Sequence, residues 1–314
     1  MAAKANVAFV FPGQGSQSVG MGKDLFDQFP AAKQVFQEAD DALGFAISEL
    51  CFSGPESELK LTQNTQPAIL TTSIAALRVI ETETALRPRW VAGHSLGEYS
   101  ALVCAGALEF RDAVKIVRER GRMMQDAVPP DVGAMGVLLG LEMAAVRALC
   151  AEASNGEVVE PANYNGGGQI VIAGHKAAVA RAMSLAKSRG VKKVLDIPVS
   201  APFHCRLMAP AGEGLKNVLA AVAIKPFTAA VISNVEADVN SDPGRVKDLL
   251  VRQTVSPVRW EESVRKLEES GCERVFEVGP GKVLRGLIKR ISPSLELDNF
   301  QSAADLTRIV EMQS

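Results

Sequence analysis

Trp90-Val91-Ala92-Gly93-His94-Ser95-Leu96-Gly97-Glu98-Tyr99-Ser100-Ala101-Leu102-Val103-Cys104 reads as three pieces in succession. Trp90-Val91-Ala92 is a short buried strand, Gly93 to Gly97 a tight turn, and Glu98 to Cys104 a helical pattern. The turn matches G-x-S-x-G between a strand and a helix, the context in which that pattern carries a nucleophilic serine. A strand bending sharply into a helix strains its central residue and crowds the residues on either side, so glycine is needed at both flanks. Ser95 is thereby held at the sheet's carboxyl edge, beside free N–H groups and the positive end of a helix dipole. The blander alternative is a glycine-rich turn whose serine only caps a helix.

Working outward, Val7-Ala8-Phe9-Val10-Phe11 is an apolar run ended by Pro12-Gly13, a second buried strand. Helical patterns run from Ala31 to Leu43 and from Gln66 to about Leu86, the latter placing Pro67 in a first turn. Strands alternating with helices predict a mainly parallel sheet covered on both faces. The middle differs. Val132–Leu139, Val158–Asn163, Gln169–Ala173 and Val191–Ile197 read as strands, with helices at Glu142–Ala153 and Ala177–Arg189. Their order, β-α-β-β-α-β, is that of a ferredoxin-like unit. The expected organisation is a large α/β-hydrolase-like domain of residues 1–127 and 202–314, with a ferredoxin-like small domain of residues 128–201 inserted. Further helices are expected at Arg206–Ala221, Val246–Arg252 and Trp260–Glu269. A strand at Arg274–Val278 then leads through Gly279-Pro280-Gly281 into a helix ending at Arg290.

Among 314 residues, 34 Lys and Arg against 36 Asp and Glu leave a net charge of −2. That balance argues against nucleic acid or a membrane surface as partner. Five scattered cysteines with no CxxC pair predict neither structural zinc nor a disulfide framework. No apolar stretch approaches a membrane span, and no long apolar segment precedes Pro12-Gly13. A reduced cytoplasmic compartment is the expectation.

A serine needs a base, and there are three histidines. His94 adjoins Ser95 within the turn, where neighbouring side chains diverge. His175 opens a small-domain helix and reads as a solvated surface residue. His204, in the rigid loop Ser200-Ala201-Pro202-Phe203-His204-Cys205 at the return to the large domain, is the favoured base. Gly13-Gln14-Gly15-Ser16-Gln17-Ser18 fails as a dinucleotide fingerprint and as a P-loop. It places Gln14 at the carboxyl edge of the first strand, where on these residues alone a solvent-facing side chain is the better reading.

Phe11-Pro12-Gly13-Gln14-Gly15-Ser16-Gln17, Gly93-His94-Ser95-Leu96-Gly97-Glu98-Tyr99 and Phe203-His204, in this order, resemble the malonyl-CoA:acyl-carrier-protein transacylase family. Asn163-Tyr164-Asn165 with Gln169 to Gly174, and Glu277-Val278-Gly279-Pro280-Gly281-Lys282, extend the resemblance from Val7 to about Ile291. It implies a ping-pong reaction. Ser95 takes the malonyl group from the coenzyme A thioester, which is a substrate and not a cofactor, and the pantetheine thiol of acyl carrier protein collects it for fatty acid elongation. It assigns His204 as base, the N–H groups of Gln14 and Leu96 as oxyanion donors, and the backbone carbonyl at Gln253 as the group orienting His204. Asp196 remains an alternative for that last role on the residues alone.

The resemblance also selects Arg120 to hold the malonyl carboxylate. From residues alone Arg118, Arg120 and Arg122 all look like solvated helix charges. Phe203 matches a position that in related polyketide domains goes with malonyl over methylmalonyl, although Ala201-Pro202 departs from the polyketide loop; a plain core phenylalanine is the alternative. No metal or other cofactor is implied. A basic docking patch for the acidic carrier protein is expected among Lys187, Arg189, Lys192 and Lys193, or Lys282, Arg285, Lys289 and Arg290. Two other function classes stand beside the transacylase: a serine hydrolase of small thioesters, and a non-catalytic carrier-docking subunit. Retention of both Ser95 and His204 speaks against the second of these.

Overall fold

An all-apolar pentapeptide such as Val7–Phe11 can only be a strand covered on both faces, and it lies inside the larger of two sheets. The computed structural model describes residues 6–191, 193–197, 199 and 201–311. Its strands, in chain order, are β1 (Val7–Phe11), β2 (Trp90–Gly93), β3 (Gly133–Leu139), β4 (Val159–Tyr164) and β5 (Gln169–His175). There follow β6 (Lys193–Ile197), β7 (Ala230–Ile232), β8 (Val239–Asn240), β9 (Arg274–Val278) and β10 (Glu296–Phe300).

The large sheet has the order β10-β9-β1-β2-β7-β8 and is parallel except for the β7–β8 edge. Side chains alternate across it. Phe9, Phe11 and Val91 face a core that includes the helices Pro30–Leu43, Thr62–Glu83 and Phe110–Asp126. Ala8, Val10 and Ala92 face the helices Trp260–Glu269 and Val283–Ile291. The chain runs from β1 to one side of the sheet and returns on the other at β9. The carboxyl ends of β1 and β2 therefore border the crevice where such sheets take ligands.

The small sheet, β4-β5-β3-β6, is antiparallel throughout, which is the strand order of a split β-α-β-β-α-β unit. Leu138, Ile170 and Ile172 pack on the helices Met143–Ala153 and Lys176–Ser188. Met135, Val171 and Ala173, on the opposite face, pack against Phe203, Cys205 and Met208. A backbone bridge, Asn163 to Val258, ties the two sheets' surroundings together. Among the described residues no helix is long and apolar enough to cross a membrane.

The long helix differs most from its sequence reading. It begins at Thr62, not Gln66, and ends at Glu83, so Pro67 lies inside it. Proline has no N–H to offer the carbonyl four residues back. That carbonyl, Gln63 O, accepts instead from Arg118 Nη1 at 3.0 Å. A tertiary partner thus removes the reason for the helix to start at the proline.

Candidate active site

The turn between β2 and the helix Gly97–Cys104 holds Ser95 at φ 51°, left-handed backbone that costs a non-glycine residue about 1–3 kcal/mol. The flanking glycines are sterically obligatory. A Cβ on Gly93 would lie 1.9 Å from the Gly97 carbonyl carbon, and one on Gly97 would lie 2.0 Å from Phe11 O. Asn234, in the loop after β7, clips the turn from behind. Its Oδ1 accepts from Ser95 N at 2.7 Å, and its Nδ2 donates to Gly93 O at 2.6 Å.

Ser95 Oγ lies 2.7 Å from His204 Nε2, and His204 Nδ1 lies 2.9 Å from Gln253 O. A carbonyl only accepts, so Nδ1 carries the imidazole proton and Nε2 is left to accept from the serine. His204 is 4% exposed. Burial, reinforced by the Arg120 charge, pushes its pKa down to about 3, so the ring is neutral at physiological pH. Asp196 plays no part in this contact: it is an exposed residue on β6, and Gln253 occupies Nδ1. His94 turns away from Ser95 and meets Asn165 Oδ1 at 2.9 Å. His175 is half-buried, not solvated as its position suggested, because its Nδ1 accepts from Val158 N at 2.9 Å.

Of the three helix arginines, Arg122 is exposed and pairs with Glu119 and Asp126, and Arg118 is partly buried. Arg120 is 1% exposed, which its amphipathic helix gave no hint of. Its guanidinium donates to Gln66 Oε1 at 2.7 Å, to Gln253 Oε1 at 2.8 Å and to Ser95 Oγ at 3.1 Å, and lies over the Tyr99 ring. Among the described residues no carboxylate lies within ion-pairing distance of it. A buried fork beside a nucleophile, met by two amides and a phenol and by no carboxylate among the described residues, has the chemistry to receive an anion.

Ser95, His204, Arg120, Gln66 and His94 line one cavity of about 130 Å³ with Gln14, Leu96, Met124, Met135, Asn163, Val199 and Phe203. Gln14 is exposed at the mouth, whereas Leu96 and Phe203 are buried in the wall. The site draws on both sheets: Met135 comes from β3 and Asn163 from β4.

Reading by residue pattern missed four contributors, Gln66, Glu98, Asn234 and the side chain of Gln253. Glu98 is 3% exposed, and its Oε2 accepts from Asn234 N at 3.0 Å and Gln253 Nε2 at 2.7 Å. Gln253 Nε2 also donates to Ser95 O at 3.0 Å. Glu98 carried the one available signal, an acid three residues before Ala101-Leu102-Val103, an apolar stretch that packs into the core.

Of the expected docking residues, Lys187, Lys193, Lys282 and Lys289 are exposed. Arg189 is paired with Glu152, and Arg290 Nη2 donates to Gln169 Oε1 at 3.2 Å. Arg285 is half-buried and spends Nη1 on Asn299 Oδ1 at 3.2 Å, so it is a fold contact more than a surface charge. Lys192 lies outside the described residues.

A family model described as acyl transferase domain matches residues 8–308. The chain is 46% identical over 305 residues to the malonyl CoA-acyl carrier protein transacylase of Escherichia coli (strain K12), covering 97% of this chain and 99% of that one. It is 50% identical over 293 residues to the transacylase of the same name from Bacillus subtilis (strain 168), covering 93% and 92%. The fold matches an acyl carrier protein S-malonyltransferase structure from Vibrio cholerae with a TM-score of 0.95 at 48% identity, over 97% of this chain and 100% of that one. A type II PKS acyl-carrier protein in complex with its malonyl-transacylase matches with a TM-score of 0.95 at 44% identity, over 98% and 100%. A serine elbow and a buried arginine on a scaffold shared end to end with these enzymes place this chain in the acyl transferase domain family, among the malonyl-CoA:acyl-carrier-protein transacylases.

Proposed function

We propose that the chain moves a malonyl group from malonyl-CoA to the pantetheine thiol of acyl carrier protein through an ester on Ser95. The observation that carries this reading is Arg120 Nη2 at 3.1 Å from Ser95 Oγ, a buried cation placed where an acyl group bearing a carboxylate would put its charge.

In the first half-reaction Ser95 Oγ attacks the thioester carbonyl carbon and gives its proton to His204 Nε2. The carbonyl oxygen becomes an oxyanion. The Ser95 N–H is spent on Asn234, which leaves the Leu96 N–H as the elbow's donor at the cavity, with the Gln14 N–H across from it. The C–S bond then breaks and coenzyme A leaves as a thiol, taking the proton from His204. In the second half-reaction the carrier-protein thiol gives its proton to His204 and attacks the ester, and Ser95 leaves with that proton. Gln253 O holds Nδ1–H throughout and favours the imidazolium formed in each half. Phe203, packed in the wall beside His204, fills space that an α-methyl would need, a discrimination worth about 1–3 kcal/mol. The test is transfer itself: with both substrates present, malonyl-carrier protein should accumulate, and free malonate as the dominant product would instead indicate a thioester hydrolase.

The depressed basicity of His204 has a consequence for pH. A group of ordinary imidazole pKa, about 6.5, would be half-protonated there and lose half its function as a base. With its pKa pushed down to about 3, His204 stays neutral, so the rate of Ser95 acylation measured by rapid quench should hold level from pH 6.5 to about 5. A rate that halves near pH 6.5 would mean the imidazole is not held neutral by burial.

For docking, the exposed cations Lys187, Lys193, Lys282 and Lys289 are the candidates left at the surface. Lys289→Glu should raise the KM for carrier protein several-fold and leave hydrolysis of malonyl-CoA unchanged. The defect should shrink with added salt, since steering is screened beyond about 10 Å at 0.1 M. Equal loss with both substrates would move the docking surface elsewhere.

A further inference from the structure

Among the described residues the cation at the cavity has no direct counter-ion, yet an anion sits one amide away. Gln253 Oε1 accepts from Arg120 Nη2 at 2.8 Å, and Gln253 Nε2 donates to Glu98 Oε2 at 2.7 Å. The amide is oriented unambiguously, because a guanidinium offers only donors and so must face the oxygen. Its dipole then has the negative end on the arginine and the positive end on the carboxylate. Arg120, Gln253 and Glu98 are 1%, 0% and 3% exposed, so water screens little of this arrangement. It is an ion pair stretched across a side-chain amide.

A carboxylate arriving on Arg120 changes the balance. To receive it bidentately the guanidinium must present two N–H groups, and Nη2 is already shared between Gln253 Oε1 and Ser95 Oγ. The arriving group competes with the amide and the serine for Nη2, while Nε, which has no hydrogen-bond partner among the described residues, is open to it. The buried site then holds two carboxylates and one cation, which a medium of low dielectric resists by taking up a proton.

Resting on the reading of Arg120 as the malonyl anchor, we propose that Glu98 is the resting counter-ion of Arg120, relayed by Gln253, and that it takes one proton from solvent when a carboxylate-bearing acyl group docks. The proton goes to Oε1, since Oε2 is engaged by Asn234 N and Gln253 Nε2. Glu98 is thus a positioning residue: it touches no substrate, and it sets the charge state against which Arg120 recognises one. Burial already raises its pKa to about 7, so loss of the relayed Arg120 charge tips it to the neutral form under physiological conditions.

The neighbours of Glu98 leave few other candidates for that proton. Its own helix contributes Tyr99, whose phenol burial drives far above neutrality, and the helix Phe110–Asp126 contributes Arg120. Asn234, Gln253 and, from the helix Thr62–Glu83, Gln66 bring neutral amides. β1 and β2 bring apolar residues. Arg252, on the helix that carries Gln253, is turned outward onto Glu236. His204, reached through Gln253 O, and His94, in the turn four residues before Glu98, are both held neutral at rest by burial; they are the other groups at which a proton taken up on docking would be sought, and the experiment separates them from Glu98.

Malonyl-CoA is titrated calorimetrically into the Ser95→Ala protein, which cannot turn over, at pH 8 in two buffers of different ionisation enthalpy. Uptake approaching one proton is expected with malonyl-CoA and none with acetyl-CoA. Adding Glu98→Gln, which keeps an oxygen for both donors, should leave malonyl-CoA binding in place and abolish the uptake. In protein with Ser95 intact, KM for malonyl-CoA should rise above about pH 7 by up to tenfold per unit for one linked proton. In the Glu98→Gln protein it should be flat. Uptake that persists in Glu98→Gln would assign the proton to another group of the site, His204 or His94, and overturn the proposal. Binding that needs Arg120 but shows no buffer dependence would overturn it while sparing Arg120 as anchor. Undiminished binding to an Arg120→Ala protein would overturn the anchor reading as well.

Discussion

Ser95→Ala is expected to fold as the native chain does and to lose transfer by a factor on the order of 10⁴ to 10⁶. The fold is spared because the elbow is held by contacts that do not involve the hydroxyl. Gly93 and Gly97 pack backbone on backbone, Asn234 clips Gly93 O to Ser95 N, and Gln253 Nε2 holds Ser95 O. Chemistry is lost because, among the described residues, Ser95 Oγ is the hydroxyl hydrogen-bonded to His204 Nε2. Cys205, the next residue, is buried with its Sγ on Pro202 O. His204→Ala should be severely impaired as well. The double variant should fall little further, because a nucleophile without its base and a base without its nucleophile are equally idle. The measurement is kcat/KM for transfer in the three variants. Full activity in Ser95→Ala would end the covalent account, and strictly multiplicative losses would show that the two residues act apart.

Arg120→Ala should reverse a preference where Ser95→Ala removes a reaction. Burying the malonyl carboxylate unpaired is expensive, and a buried guanidinium that meets it bidentately removes that cost. A neutral acyl group makes no such exchange: it leaves Arg120 on Gln66, Gln253 and Ser95 and finds the cavity partly occupied. The native protein should therefore discriminate strongly against acetyl-CoA. Arg120→Ala should lose roughly 2–5 kcal/mol of malonyl transition-state stabilisation, by analogy with truncating one partner of a buried charge pair. Acetyl transfer should be unharmed or improved. Arg120→Lys should recover only part of the malonyl preference, since an ammonium offers no planar fork. The quantity to compare is the ratio of kcat/KM for malonyl-CoA to that for acetyl-CoA, in which any general loss of folded protein cancels. An unchanged ratio would remove Arg120 as the carboxylate anchor.

What the sequence made legible follows from what is local. The elbow could be read because its steric demand falls on Gly93, Ser95 and Gly97 themselves. The β-α-β-β-α-β block could be read because β3 and β5 are apolar runs, its helices alternate with them, and its turn, Asn165 to Gly168, is rich in glycines at positive φ. The strand Glu296–Phe300 was missed because it is polar where a buried strand should not be. Its Asp298 and Asn299 are satisfied by Arg308 and Arg285, partners no local pattern reveals. β7 and β8 are too short, at three and two residues, to show an alternation.

The site divides along the same line. Ser95 and His204 stand out by chemistry and rarity, with only three histidines to choose from. Arg120 is one of three arginines on an amphipathic helix, and it alone turns inward because Gln66 and Gln253, from two other helices, receive it. Asn234 and Gln253 lie 139 and 158 residues from the serine they hold. Their amides would be unremarked polar residues in any window of sequence. Only the fold brings them behind the elbow.

The central claim is that the malonyl group rests on Ser95 between its two carriers. Malonyl-CoA labelled in the acyl group is mixed with the native protein alone, quenched in acid, digested, and each peptide assayed for label. Carrier protein is then added to a parallel sample before quenching. The account predicts label on the peptide containing Ser95 in the first sample and its quantitative passage to carrier protein in the second. Carrier protein that becomes labelled while the Ser95 peptide stays bare at every time point would contradict it.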